Sequence, residues 1–526
     1  MAVDHPVRLG VLWLCQLGKS SFGYVNPVPQ GPLKVEAIMK KLRLIPMPNI
    51  LTLHEEKGVF RDAKKTVPYI IIDKATGYSD EEYSLSIDEN GVTITASCDE
   101  GAFRGQMTYA QMKTVCDDRI PYLEIHDRPA FAYRGFMIDC ARHFFLVSDL
   151  KKMIEAASLF KFNKFHWHLC DDQGWRMEIS GFPDLTVKGS VRTHSSFGTD
   201  HDERPYKGYY TKSDIKEIVE YCTERYIEVI PEIEIPGHSS AMINAYPQLS
   251  CRGLEVPVRT SAGIFRDILC AGKKEVYDFL HAVLDEMFLM FPGEYIHIGG
   301  DEAPKDRWKE CPACQKMMKD KACADEEALQ GMMINEIAGY LKKHGKKAIT
   351  WNECLRGSNL DMDVMVQNWA EKNNECTERE KAGGSVIVSD FFHYYCDYPH
   401  GMTSLKKAYE YDPVPKELTS KDRVNILGVE APIWTEFIKD IQKMSEMCYP
   451  RFLAVAETGW TERKNKNYDA FRENLGNVLP MLKDSGLSFT VRDDWDPIWY
   501  KAAIEIIKFV FHMYNKETLA SRKGKI

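Results

Sequence analysis

The stretch YIHIGGDEAPKDRW, beginning at Tyr295, ends a short apolar run with two glycines followed by two adjacent acids, Asp301 and Glu302. Tyr295 and His297 alternate with Ile296 and Ile298, which predicts a strand, and Gly299-Gly300 should stop it. The acids then stand at a strand's carboxyl end, where α/β folds keep their chemistry. In an extended strand, neighbouring side chains point to opposite faces. Two glycines allow the backbone to turn, so both carboxyl groups can serve one site. A carboxyl pair of this kind can move a proton and hold a polar group or cation beside it.

Other reactive residues collect at the ends of similar runs. From residue 129 onward the chain alternates short apolar stretches with amphipathic ones. Eight strand-like runs are read: RGFMIDC, KFHWHLC, IEVIPEIEI, YIHIGG, KAITWN, VMVQNW, SVIVSDF and NILGVEAPIW. Between them lie segments such as KSDIKEIVEYCTERY and EEALQGMMINEIAGYLKKHG, with apolar residues three and four apart. The pattern predicts a (β/α)8 barrel of the TIM type, with irregular last crossovers and a short sixth. Its run ends carry Asp139 and Arg142, then His166, His168, Asp171 and Asp172, then Glu232, Glu234 and His238. Trp351, Asn352, Glu353, Trp369, Tyr395, Asp397, Trp434 and Glu436 follow the later runs. Carboxylates that bond hydroxyls, beside tryptophan faces that stack on C–H surfaces, suit a pyranose, whereas a phosphate site would need a glycine-rich loop and more cations. His166-Trp167-His168 beside Asp171 also makes a plausible start for a metal site. Taken singly, each of these residues is more often structural than reactive; convergence on one mouth shifts that balance.

The 526-residue chain is long enough for two or three units. Residues 1–39 read as an irregular arm and 40–128 as a small α+β domain, with a hairpin turned at Asn90-Gly91. The catalytic barrel is expected over 129–485 and a helical extension over 486–526. A net charge of −9 gives no electrostatic case for nucleic acid, and no apolar run is long enough for a membrane span. RLGVLWLCQLG, from Arg8, lacks a small-residue cleavage pattern, and no Asn-x-Ser/Thr sequon is present, so a cytoplasmic location is expected. Fifteen cysteines cannot all pair within one chain, which fits a reducing compartment. Cys311 and Cys314 have the spacing of half a zinc site, but no second close pair is evident, and the expectation is two loop thiols and no metal or cofactor.

HIGGDE resembles the signature of glycoside hydrolase family 20, the β-N-acetylhexosaminidases. RGFMIDCARHF, KFHWHLCDDQGWRMEI, VIPEIEIPGHS, TWNE, YYCD and GVEAPIWTE follow the family's order, over about residues 40–485. The resemblance implies an exo-acting, retaining enzyme for terminal β-linked N-acetylglucosamine or N-acetylgalactosamine, in which the substrate's own acetamido oxygen is the nucleophile. It implies that Glu302 is the general acid and then base, and that Asp301 holds the acetamide nitrogen. Tyr395 would donate to the acetamide oxygen, while Trp351, Trp369 and Trp434 would enclose the sugar. Arg142, Asp397 and Glu436 would take its outer hydroxyls and are expected to pair with one another when no ligand is bound. Asp171 and His238 match a supporting dyad. Glu234 departs from the aspartate of many relatives, which puts its place relative to His238 in question. Barrels of this family often pair, so a homodimer is an expectation for which no interface is legible.

Overall fold

In the computed structural model, residues 44–116, 119–371 and 374–513 are described. The arm expected over 1–39 and the segment RLGVLWLCQLG lie outside them. Among the described residues no helix is long and apolar enough to cross a membrane.

All eight predicted runs become strands: β1 (Tyr133–Asp139), β2 (Lys164–His168), β3 (Glu228–Glu232), β4 (Tyr295–His297), β5 (Lys347–Trp351), β6 (Met365–Asn368), β7 (Val386–Val388) and β8 (Ile426–Ile433). Each pairs in parallel with its neighbours in sequence, and β8 closes on β1. These strands are covered on both faces, which explains why β1 is buried at every position and reads as an apolar run rather than an alternation. The helices around them follow their periodicity. Helix Lys212–Thr223 starts at a capping box formed by Thr211 and Asp214 and buries Ile215, Ile218, Val219 and Cys222. Helix Glu326–Lys343 is capped by the Asp325 side chain and buries Leu329, Met333, Ile337 and Leu341. As expected, the sixth crossover is short, and among its described residues it holds one short helix, Glu375–Lys381.

A five-stranded sheet precedes the barrel, with the helix Asp99–Val115 packed on it. Its hairpin differs by one residue from the expected form: Asp88 pairs with Gly91, so the turn is centred on Glu89 and Asn90 and Gly91 opens the return strand. Asp127 at the end of the last strand of this sheet is fully buried and accepts hydrogen bonds from Tyr83, from the Trp460 indole at 2.8 Å and from Lys161 Nζ at 3.1 Å. One carboxylate thus ties the small domain to two barrel elements. At the other end of the chain, helix Trp499–Met513 places Phe509 against Tyr398 and Phe437, with ring centroids 5.4 and 5.8 Å apart.

Candidate active site

The carboxyl end of β4 has little conformational choice. Gly299, Gly300 and Glu302 have φ of 63°, 114° and 43°. A Cβ on Gly299 would lie 2.0 Å from Glu234 Oε2, and one on Gly300 would lie 2.3 Å from Cys354 Sγ. Both positions therefore need glycine for space as well as for backbone hand. The resulting turn brings both acids to one imidazole: His238 Nε2 is 3.8 Å from Asp301 Oδ2 and 3.6 Å from Glu302 Oε2. His238 is itself left-handed, with φ of 46°. Two non-glycine residues in this sparsely populated region face each other across the site, as strained positions at functional sites do.

Asp301 is buried, and its Oδ1 has no hydrogen-bond partner among the described residues. Burial pushes its pKa up to about 7, and the nearby acids Glu302 and Glu353 add to the shift against the pull of His238. Opposite, His238 Nδ1 lies 3.1 Å from Asp171 Oδ1 and 3.2 Å from Asp172 Oδ2. Burial would discharge this imidazole, but Asp171 outweighs it and holds the pKa well above the usual histidine range. An imidazolium therefore stands between the acids of β2 and those of β4. Asp171 is kept ionised in turn: burial opposes its charge, yet Arg142, His238 and a hydrogen bond from His168 hold its pKa far below the ordinary value.

Arg142 is buried, with its guanidinium 4.9 Å from the Trp434 ring centroid. Its partners differ from those expected. Nη2 lies 2.6 Å from Asp171 and only 3.9 Å from Glu436, Nη1 reaches Asp139 at 3.3 Å, and Nε donates to Gln173 at 3.0 Å. Asp397 takes no part in this pairing, and its Oδ1 has no partner. Burial and the neighbouring Glu436 push the Asp397 pKa well up. Of the expected three-way network the long Arg142–Glu436 pair is present and Asp397 is outside it; the closer partners are Asp139, three residues before Arg142, and Asp171, which follows β2, because a buried arginine needs full pairing. Asp139 was read as a run-end residue without a role in holding Arg142, and Gln173 was not singled out. The only available signal was their place beside Arg142 and within CDDQGW.

The aromatic residues divide into two groups. Trp369 and Trp434 are partly exposed, and Tyr395 stacks near Trp369 with centroids 6.4 Å apart. The Trp369 indole N–H is buried and unpartnered. Trp351 has no exposed surface; it stands behind Trp434, with centroids 6.0 Å apart, and donates to Glu232 Oε1 at 2.8 Å. Glu234 lies against Gly299, with Oε1 3.9 Å from His168 Nδ1. Both of its oxygens are buried without hydrogen-bond partners, and burial together with Asp301 raises its pKa well above the usual range, which favours the protonated form.

The histidines of β2 have no nitrogen free for a metal. His166 bonds Glu430 at 2.8 Å and Glu232 at 3.0 Å, and His168 bonds Glu232 and, at 3.0 Å, Asp171. Burial opposes their charge, but these carboxylates win, pushing His166 up to about 10 and His168 to about 9. Both are imidazolium ions inside the barrel. Cys311 and Cys314, read as isolated loop thiols, meet Cys251 and Cys270, from which they are separated by 41 residues or more along the chain.

A parallel barrel whose carboxyl mouth presents a carboxyl pair, an imidazolium and aromatic faces is the arrangement of a glycoside hydrolase. Known proteins resolve that class further. Residues 131–463 match the catalytic domain of glycosyl hydrolase family 20, and residues 41–128 match its domain 2. The chain belongs to that family. It is 39% identical over 447 residues to the beta-hexosaminidase of Porphyromonas gingivalis, covering 80% of this chain and 56% of that one. The beta-hexosaminidase of Akkermansia muciniphila is 33% identical, with 82% of this chain and 89% of that one covered. Among solved structures, an exo beta-N-acetylglucosaminidase from Vibrio harveyi in complex with N-acetylglucosamine superposes with a TM-score of 0.76 at 26% identity, over 90% of this chain and 81% of that one.

Proposed function

We propose that this protein removes terminal β-linked N-acetylglucosamine or N-acetylgalactosamine from the non-reducing ends of glycans, with retention, using the substrate's acetamido oxygen as nucleophile. The observation that carries this reading is Asp301: a buried carboxyl group with an unpartnered oxygen, adjacent in sequence to a second acid that shares its imidazole. An acetamide N–H would satisfy that oxygen and favour the anion. The anion would in turn stabilise the positive charge that develops as the oxazoline ring closes. Glu302, with its side chain 35% exposed, is the acid open to solvent and to a leaving group. It gives its proton to the glycosidic oxygen and then takes one from water. His238, held by Asp171, positions Glu302 from behind. Tyr395 donates to the acetamide oxygen, and Trp369 and Trp434 form faces for the sugar. Arg142, Asp397 and Glu436 receive its outer hydroxyls. Pinning the acetamide against the anomeric carbon replaces a protein nucleophile by orientation.

The test is release of nitrophenol from the β-N-acetylglucosaminide and the plain β-glucoside in parallel. Cleavage confined to the acetamido sugar is expected; comparable cleavage of both would overturn participation by the acetamide.

A further inference from the structure

We propose that Cys251, Cys270, Cys311 and Cys314 bind one zinc ion as a closed, structural tetrathiolate site. The four sulfurs lie within 4.8 Å of one another. Three of their separations are 3.5 Å (Cys270 to Cys314) and 3.8 Å (Cys251 to Cys314 and Cys270 to Cys311). Zinc–thiolate bonds of about 2.3 Å in a tetrahedron set sulfurs about 3.8 Å apart along each edge. A disulfide would need about 2.05 Å and would divide the sulfurs into two pairs. Here Cys314 has two near neighbours and so does Cys270, so the sulfurs form a cluster rather than two pairs.

The surroundings are those of a ligand set rather than of packed core thiols. Cys270, Cys311 and Cys314 are buried and Cys251 is partly so. Cys311 and Cys314 occupy the start of helix Pro312–Asp320, with Cys311 at its N-cap. Cys270 follows a backbone bridge between Ser250 and Leu269, and its sulfur faces the N–H of Gly272, the kind of outer hydrogen bond that orients a thiolate ligand. A Cβ on Gly272 would fall 2.2 Å from the carbonyl carbon of Ala313, so the two ligand-bearing turns touch through bare backbone. Lys273 binds the carbonyls of Gln248 and Ser250, which places a cation beside a cluster that would carry net negative charge with zinc bound. Four protein ligands leave no open position, so the role is structural. Tetrahedral sulfur also suits iron; the test distinguishes the two.

The site would join the loop that follows β3 to the loop that follows β4. His238 lies near the start of the first and Asp301-Glu302 at the start of the second. The indole of Trp308 already crosses between them, donating to the Leu269 carbonyl at 2.9 Å. Zinc would complete that link about ten residues beyond the acids.

The full chain, produced without an affinity tag in zinc-supplemented medium, should contain one zinc per chain by elemental analysis. Titration with a mercurial should release it in step with loss of four thiols, and reconstitution with cobalt should give the visible spectrum of a tetrathiolate. Cys311→Ser with Cys314→Ser should reduce zinc to under about a tenth of an equivalent and lower Tm, whereas Cys222→Ser, a thiol elsewhere in the core, should keep the metal. If the double variant does not fold, mercurial release from the native chain decides the question alone. Less than about a tenth of an equivalent of zinc in the native chain, stoichiometric iron in its place, or two disulfides on non-reducing peptide mapping would each overturn the assignment.

Discussion

On the proposed mechanism the neighbours Glu302 and Asp301 have separable duties, and substitution should separate them. With Glu302→Gln, turnover of substrates with poor leaving groups should fall by about 10²–10⁴, the usual contribution of a positioned acid, while activated aryl glycosides lose much less. Asp301→Asn should slow both classes, because intermediate formation fails before the leaving group matters. Rate constants for an aryl glycoside series with each variant check this. Asp301 also predicts a pH effect. Its raised pKa means that kcat/KM should fall as pH drops through about 7 in the free enzyme, since the protonated acid no longer accepts the acetamide N–H. The sign for stability is opposite to that of a salt-bridged acid. The folded state prefers protonated Asp301, so a stabilising contribution present below the unfolded-state pKa near 4 is lost as pH rises to about 7. Asp301→Asn should therefore raise Tm at pH 8 and have little effect on it below pH 4. Equal Tm values at pH 8 would show that Asp301 is not under this strain.

At the scale of elements, the loops after β7 and β8 carry Asp397 and Glu436, and the C-terminal helix rests on both through Phe509. Phe509→Ala removes two aromatic contacts without touching the acids, and losing such pairs costs about 0.5–1.5 kcal/mol each beyond area. We predict a rise in KM of about three- to tenfold with kcat within about twofold, measured by steady-state kinetics. The strands were legible because each is a buried run bounded by turn residues, and their order follows once a barrel is recognised. The meeting of Asp301 and Glu302 at one mouth was legible from the strand and glycines that precede them. The partners of Arg142 were not: Asp139 stands three residues before it and Asp171 comes from the segment after β2, and no local pattern encodes which of several nearby acids a guanidinium will choose. The thiol cluster was hidden for the same reason. Cys251 and Cys270 are 19 residues apart, without the short spacing that marks a metal knuckle, and only the packing of two loops brings them to Cys311 and Cys314.

The barrel as a whole has an ionic centre. Glu232 receives His166, His168 and the Trp351 indole, with His297 Nδ1 2.8 Å away, and Glu430 receives His166, Gln367 and Tyr133. His166 and His168 titrate at about 10 and 9 in the folded chain, against about 6.5 unfolded. Their contribution is complete below pH 6.5 and declines as pH climbs through 9 and 10. Urea unfolding at pH 6, 8 and 10 should show stability decreasing over that range, and less steeply in His166→Gln, which cannot lose a proton there.

The left-handed turn at the end of β4 fixes more than the presence of two acids. Gly299 and Gly300 leave no room for a side chain beside Glu234 and Cys354, and of the two acids Glu302 is the one with a left-handed backbone. The left-handed acid has a partly exposed side chain, and the acid before it is buried. On the proposed mechanism, sequence order read through backbone chirality separates the two roles. Exchanging the acids, Asp301→Glu with Glu302→Asp, preserves charge, composition and site volume, yet should leave a folded protein with neither role filled and activity near that of Glu302→Gln combined with Asp301→Asn.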